Sequence, residues 1–537
     1  MLLQSLRVQN YRAVQSAEIS FDQTTILIGE NDCGRTSIME TIALALGWNA
    51  GESAFRFEPF HFHRAHAAPP IAIELVFCEA VEGEWEGPGF DPLRAALPDV
   101  VAGERCFRLD VIHTAGGATR WTFSSGDATP VVDDRGLLVW LRKAMPVFWL
   151  TEGMAGRTDS QARQDVDEPS RLLAEQVSEH YRGLLEGTAL DIHGGIERGA
   201  CAATQFLHAR SVMLTDAAAA GTVLQEITGK RGARSSLEGI GNFGTAAQKV
   251  GLLLLVGALL RSGGARVERG MSPLTLIENP EAHLHPMTLA SIWGVIERVA
   301  GQKLIATHSG TLLASARLST VRRLTRKGGK VREWRVPDGS LDADELRRYT
   351  YHLRSRRAAA SFARCWLLVE GETEFWLMGE LARVCGYDLA SEGVSCVEFA
   401  QCGLGALIKV AHHLGIEWHL LADGDTAGQT YARSARQHQQ AGQQRTTTLE
   451  EPDVEHCFWK YGYAGVFRRA AWPGRSAADL SRNQAPAKVV IRRAIDRHSK
   501  PAIAIMLLDV AADRGPAGVP APLRSAIETC VRLARAG

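Results

Sequence analysis

Hydrophobic and polar residues alternate from the first positions of the chain: LLQSLRVQNY and AVQSAEISF read as strands with one buried face, and the wholly apolar TTILIG reads as a strand buried on both. After GENDCGRTS, at 29–37, the period changes to that of a helix, SIMETIALALG, which stops at a glycine. Farther on, IAIELVF, CFRLDVIH and TRWTFSS alternate as strands, and LLVWLRKA adds a helix. A polar, helical stretch follows from 151 to 235; within it EPSRLLAEQVSEHYRGLLEG sets Leu173, Val177, Tyr181 and Leu184 on one face, which suits an arm that packs on its own domain or forms a dimer contact. Four further apolar runs, LTLIE, KLIA, CWLLV and EWHLLA, each end at a chemically active side chain. The pattern predicts an α/β chain in four parts: 1–150 and 236–345 as two halves of one domain, 151–235 as the inserted arm, and 346–537 as a second α/β domain.

Composition narrows the classes. A chain of 537 residues exceeds one hydrophobic core. Its 45% hydrophobic and 22% charged residues are ordinary for a soluble protein. Lys plus Arg equals Asp plus Glu at 60 each, so a polyanion has to be met by a local patch and not by net charge. Ten cysteines without a C-x-x-C pair argue against a zinc ribbon or disulfide framework and fit reduced thiols. The polar, charged start is unlike a secretory signal, and the apolar run at 250–260 is too short to cross a bilayer, so a soluble cytoplasmic protein is expected, with no membrane contact.

The nonapeptide GENDCGRTS has the outline G-x-x-x-x-G-K-[ST] of a phosphate loop, with Arg35 where lysine is usual. Gly29 and Gly34 let backbone N–H groups close on an anion at a helix start, and Thr36 or Ser37 supplies a hydroxyl for Mg²⁺. Arginine is a wide planar fork and lysine a point charge, so nucleotide binding should survive better than fast hydrolysis. LTLIENPEAHLHP ends a strand at Glu278, a candidate Mg²⁺ acid, with Asn279 where a water-orienting glutamate is expected and Glu281 as the nearest other carboxylate. KLIATHSG ends a strand near His308, placed to meet a γ-phosphate, and GIGNFGTAAQK at 239–249 is a candidate signature loop. HFHRAH at 61–66 lacks a carboxylate or cysteine framework and reads as a polar loop.

The C-terminal part carries a second chemistry. VRRLTRKGGKVREWR and LRRYTYHLRSRR form a basic junction, either a solvated linker face or a strip along a phosphate backbone. In VEGETE, Glu370 closes a strand and Glu374 lies one helical turn on; in ADGDTAG, Asp423 and Asp425 follow the next strand; LEEPDVEH adds Glu455 and HSKP adds Lys500. Acids converging at strand ends repel one another unless divalent cations neutralise them, and oxygen-only ligands suit Mg²⁺ or Mn²⁺. Two ions about 3.5–4 Å apart would serve phosphodiester cleavage, with Lys500 offsetting phosphate charge.

The ordered set around GENDCGRTS, Glu278 and His308 resembles the ATP-binding-cassette ATPases of chromosome maintenance and repair, in whose loops an asparagine such as Asn31 is typical. These work as pairs sandwiching ATP with Mg²⁺, which implies a homodimer. VEGETE followed by DGD resembles a Toprim domain. The combination resembles the OLD (overcoming lysogenization defect) family of ATP-dependent nucleases, and Glu374, Glu455 and Lys500 make it most similar to the class 2 members. The resemblance implies a DNA endonuclease or nickase in which Glu370, Asp423, Asp425 and Lys500 are catalytic, and Glu370, Glu374, Asp423, Asp425 and Glu455 hold the metals. It implies ATP at Gly29, Asn31, Gly34, Arg35, Thr36, Ser37, Glu278 and His308, a setting in phage defence or DNA repair, and a helicase-like partner protein. The competing expectation is an ATP-gated DNA-binding sensor whose Toprim domain is mainly structural.

Overall fold

The computed structural model describes residues 1–46, 57–63, 69–100, 105–150 short of 118, 127, 128 and 146, 272–282, 289–352 short of 290–292, 295, 298 and 300, 358–439, 442–476 and 484–536. The arm at 151–235, the signature loop at 239–249 and the apolar run at 250–260 lie outside the described residues, as do 64–66 of HFHRAH and 353–357 of the basic junction. The chain divides into two compact units, Met1–Trp334 and Arg335–Gly537.

In the first unit the alternating stretches form β1 (Leu2–Tyr11) and β2 (Val14–Ser20), and the apolar run forms β3 (Thr24–Gly29), which leads into α1 (Arg35–Ala45). Then come β4 (Ile71–Cys78), α2 (Asp91–Ala96), β5 (Cys106–His113), β6 (Thr119–Ser124), β7 (Val131–Val132), α3 (Arg135–Ala144) and β8 (Val147–Leu150). The unit closes with β9 (Leu274–Glu278), β10 (Gln302–Ala306), α4 (Gly310–Ser315), β11 (Val321–Lys327) and β12 (Lys330–Trp334). One 12-stranded sheet runs β7-β6-β5-β4-β1-β2-β12-β11-β3-β10-β9-β8. Its β7-to-β2 wing is antiparallel, whereas β11, β3, β10, β9 and β8 are parallel to their neighbours in that run. The parallel part brings the C-terminal ends of β3, β9 and β10 side by side, so that the loop after β3, Glu278 and His308 share one edge.

Two sequence expectations change here. The first basic stretch is a hairpin and not a linker: β11 and β12 pair around Gly328-Gly329, both at positive φ, with Lys327 opposite Lys330. Arg322 and Arg323 are consequently buried, and Arg322 pairs with Asp22 and with Glu333, 3.1 Å from Nε. Cys78 and Cys106, directly opposite in the β4–β5 register, are joined by a disulfide, which departs from the expectation of reduced thiols. Among the described residues no helix is long and apolar enough to cross a membrane.

The second unit begins with α5 (Ala343–His352) and builds a four-stranded parallel sheet, β14-β13-β15-β16. Its elements alternate: β13 (Cys365–Val369), α6 (Glu372–Val384), β14 (Val394–Glu398), α7 (Leu404–His413), β15 (Glu417–Ala422), α8 (Thr426–Gln437) and β16 (Thr446–Thr448). Among the described residues there follow the α-helices α9 (Val454–Phe458), α10 (Ala464–Ala471), α11 (Ala487–His498), α12 (Lys500–Arg514) and α13 (Ala521–Ala536). β13 is buried at every position, as a strand covered on both faces requires. Leu367, Leu381, Phe458, Ile503 and Ile527 meet in a core that joins the sheet to the C-terminal helices. Both units are therefore α/β, the class expected from the sequence.

Candidate functional site

The first unit holds a loop shaped for an anion. Gly29 has φ 152°, and a Cβ there would stand 2.5 Å from the Leu324 carbonyl oxygen; Gly34 has φ 100°, and its Cβ would stand 2.9 Å from Val14. Only glycine fits either place, which leaves backbone between β3 and α1 free to approach a phosphate. Asn31 and Thr36 are exposed at the rim, whereas Ser37 and Arg35 are buried. The Thr36 hydroxyl donates to Glu278, so the two groups expected to hold Mg²⁺ already adjoin.

Arg35 reaches across to the end of β10. Its Nη1 donates to the Thr307 carbonyl at 2.8 Å, and Nη2 lies 3.1 Å from Nδ1 and 2.5 Å from Nε2 of His308. Burial lowers the guanidinium pKa, against the raising effect of Cys33, Glu281 and Glu278. Glu281 accepts the Thr307 hydroxyl at 2.8 Å and the His308 N–H at 2.5 Å. Both its oxygens thus hold the turn after β10, a positioning role and not that of a free base. Asn279 sits at φ 45°, a left-handed conformation that asparagine tolerates better than glutamate, and its N–H donates to Ala306 at 2.9 Å.

The second unit gathers acids at the ends of β13 and β15. Glu370 directly follows β13, and Glu374, in the first turn of α6, accepts the Gly371 N–H at 3.1 Å. Asp423 follows β15, and Asp425 caps α8 by accepting the Gly428 N–H at 2.7 Å. The glycines in ADGDTAG are required by close backbones: a Cβ on Gly424 would lie 2.4 Å from the Glu451 carbonyl oxygen, and one on Gly428 would lie 2.1 Å from that of Asp423. Glu455, on α9, is 4% exposed; its Oε1 meets the Lys500 ammonium at 3.2 Å and its Oε2 receives no hydrogen bond.

The electrostatics follow from this crowding. The Asp423 carboxyl is pushed up to about 8, first by burial and then by Glu374, Glu370, Asp453 and Glu455. Burial, Asp425 and Glu374 raise Glu370, with Lys500 opposing. Burial also raises Glu455, again against Lys500. For Lys500 burial acts downward, but its ion pair with Glu455 and the charges of Glu374 and Asp453 leave its pKa raised. Among the described residues no three His, Cys, Asp or Glu side chains close into a finished ligand set. The donors are nonetheless all oxygen, mutually repelling, and include a buried carboxylate oxygen without a partner, a chemistry that fits Mg²⁺ or Mn²⁺.

Two participants escaped the sequence reading. Asp453 caps α9 through the His456 N–H at 2.8 Å and acts on Asp423, Glu455 and Lys500; its signal was the D-x-E spacing in PDVEH. Ser499, at φ 71° and ψ 157°, occupies a conformation normally left to glycine and turns the chain sharply from α11 into Lys500. Of the two tyrosines in the second basic stretch, Tyr349 is 1% exposed and Tyr351 is 66% exposed.

Residues 1–360 match the model of a family described as "Protein of unknown function (DUF2813)". The chain belongs to the DUF2813 family. Along its whole length it is 31% identical, over 568 residues, to "Uncharacterized protein YbjD" of Escherichia coli (strain K12), covering 100% of this chain and 99% of that one. Residues 362–425 match "Overcoming lysogenization defect protein-like, TOPRIM domain", the segment from β13 to Asp425 that carries four of the candidate acids. This DUF2813 protein therefore carries an OLD-like Toprim domain behind its N-terminal α/β unit. Solved structures with related parts are distant: the SMC head domain from Thermotoga maritima is 13% identical with TM-score 0.33, covering 63% of this chain and 100% of that one. The C-terminal region of the Burkholderia pseudomallei OLD protein is 19% identical with TM-score 0.28, covering 32% of this chain and 98% of that one.

Proposed function

We propose that this DUF2813 protein is a metal-dependent DNA endonuclease or nickase whose ATPase head assembles or regulates it, acting as a cytoplasmic homodimer in phage defence or repair. The observation that carries the reading is the self-repelling set around Asp423, held at the ends of two parallel strands and faced by Lys500. Glu370, Glu374, Asp423, Asp425 and Glu455 would hold the ions. Bound Mg²⁺ or Mn²⁺ would supply a hydroxide nucleophile and relieve charge on the leaving oxygen. Lys500, kept cationic by the acids around it, would face the scissile phosphate and offset the charge that grows there. Gly424 and Gly428 let the two aspartate-bearing turns fold tightly enough to present their oxygens together.

At the head, Gly29 and Gly34 cradle phosphate while Thr36 and Glu278 would hold Mg²⁺. With Arg35 occupied by His308, and Asn279 in place of a water-orienting glutamate, ATP acts chiefly as a bound signal. Supercoiled plasmid incubated with the purified protein, with and without Mg²⁺, Mn²⁺ and ATP, tests this. Metal-dependent nicking supports the nuclease; ATP-dependent DNA binding with no cleavage under either metal would support a sensor with a structural Toprim domain.

A further inference from the structure

The second unit carries a concentration of positive charge that neither the basic junction nor the carboxylate centre includes. α11 turns Val490, Ile491 and Ala494 to the core, which leaves Lys488, Arg492, Arg493 and Arg497 exposed across its outer half, with Lys488 and Arg497 on opposite flanks. The acid among them, Asp496, is 4.0 Å from Arg492, and both side chains are more than 70% exposed, a pair too hydrated to cancel the patch. α10 packs beside α11 and adds exposed Arg469. The two helices are tied where the Arg493 guanidinium lies 5.1 Å from the Trp472 ring centre and its Nε donates to the Ala471 carbonyl at 3.2 Å. α11 then ends at Ser499, and the next residue is Lys500, paired with Glu455. α11 also packs on α9, which carries Glu455, so these cations lie near the carboxylates.

We propose that the outer face of α11, with Arg469 of α10, is the track on which the phosphate backbone of the DNA substrate docks on its way to Lys500. The inference rests on the nuclease reading and adds where the DNA lies. A chain with 60 basic and 60 acidic residues attracts a polyanion only through a local surplus, and this face supplies one beside the acids, which alone would repel DNA. Lys488, Arg492 and Arg497 are spaced roughly 6–8 Å along the helix axis and wind obliquely across its outer half. That exceeds the rise of about 3.4 Å per nucleotide, so each can meet a different phosphate.

The test uses the full chain with Lys488→Ala, Arg492→Ala and Arg497→Ala combined, beside a charge-preserving Arg492→Lys, Arg497→Lys variant. Anisotropy of a fluorescein-labelled DNA duplex, read in EDTA from low to moderate KCl, gives affinity and its salt slope. The triple variant should bind at least tenfold more weakly, with a slope of log K against log salt shallower by roughly 2–3. The lysine variant should behave as the parent. Plasmid KM should rise more than kcat falls in the triple variant, and Mg²⁺ affinity should hold. Parental affinity and slope in the triple variant, or tighter binding of the matching RNA than of the DNA, would overturn the track, and cleavage by the parent would then leave the nuclease standing. A parent that binds DNA through these residues yet never cuts would overturn the nuclease and leave the track.

Discussion

His419 lies 2% exposed in β15, with Nε2 2.9 Å from the Thr447 hydroxyl. Burial, aided by Arg445 and Arg532, lowers its pKa to about 4. Between that value and an unfolded value near 6.5, the unfolded chain binds a proton that the folded one refuses, so stability is present above that window and is lost as pH falls through it. Acidification across the window should cost roughly 3 kcal/mol through this residue. In urea titrations the stability of the parent relative to His419→Gln should fall as pH drops from 6.5 to about 4 and stay constant above pH 6.5; a constant difference across that window would show that the imidazole titrates freely. At the other sheet, Arg35→Lys should release His308 and raise ATP turnover, because a lysine point charge can follow the γ-phosphate. Adding Asn279→Glu should raise it further, against a cost of about 1 kcal/mol for glutamate in a left-handed conformation. ATPase rates for the double variant no higher than the parent's would mean that neither residue limits the head.

At the scale of elements, the buried strands were legible because they combine apolar runs with an abrupt stop at a functional residue: β3, β9, β10, β13 and β15 lie where the sequence puts them. The β11–β12 hairpin was hidden because its strands are arginine-rich, and only the Gly328-Gly329 turn announced it; the sheet buries Arg322 by pairing it with Glu333, a partner that composition cannot reveal. The Cys78–Cys106 pair was hidden for a related reason, since it arises from strand register. The acids themselves were legible, but the Arg35–His308 contact, the Glu281 clasp and the capping by Asp453 depend on side-chain directions that spacing leaves open. Tight turns give the sharpest test at this scale. Gly428→Ala pushes a methyl group into the Asp423 carbonyl and should lower stability by about 3 kcal/mol and weaken Mg²⁺ binding. Gly465→Ala, in α10 with open space around it, should be neutral or stabilising by up to about 1 kcal/mol. Calorimetry and denaturation that fail to separate the two variants would remove the steric account of ADGDTAG.

At the scale of the whole molecule, two compact units with separate cores each hold one of the two candidate sites. Heating in EDTA should therefore give more than one transition, with Mg²⁺ alone raising one and Mg²⁺ with ATP raising another, because a ligand stabilises the unit that binds it. A single transition moved equally by both would mean that the sites are not held by separate units. The central claim is that the acids around Asp423 cut DNA. The most direct measurement is the rate at which supercoiled plasmid is nicked in Mg²⁺ or Mn²⁺ by the parent, Glu370→Ala and Asp423→Ala, each checked for unchanged ATP binding. The account predicts cleavage by the parent, its loss in EDTA and a fall of at least a hundredfold in both variants, about 2.7 kcal/mol or more of transition-state stabilisation. Cleavage by both variants at the parental rate would place the chemistry elsewhere and contradict it.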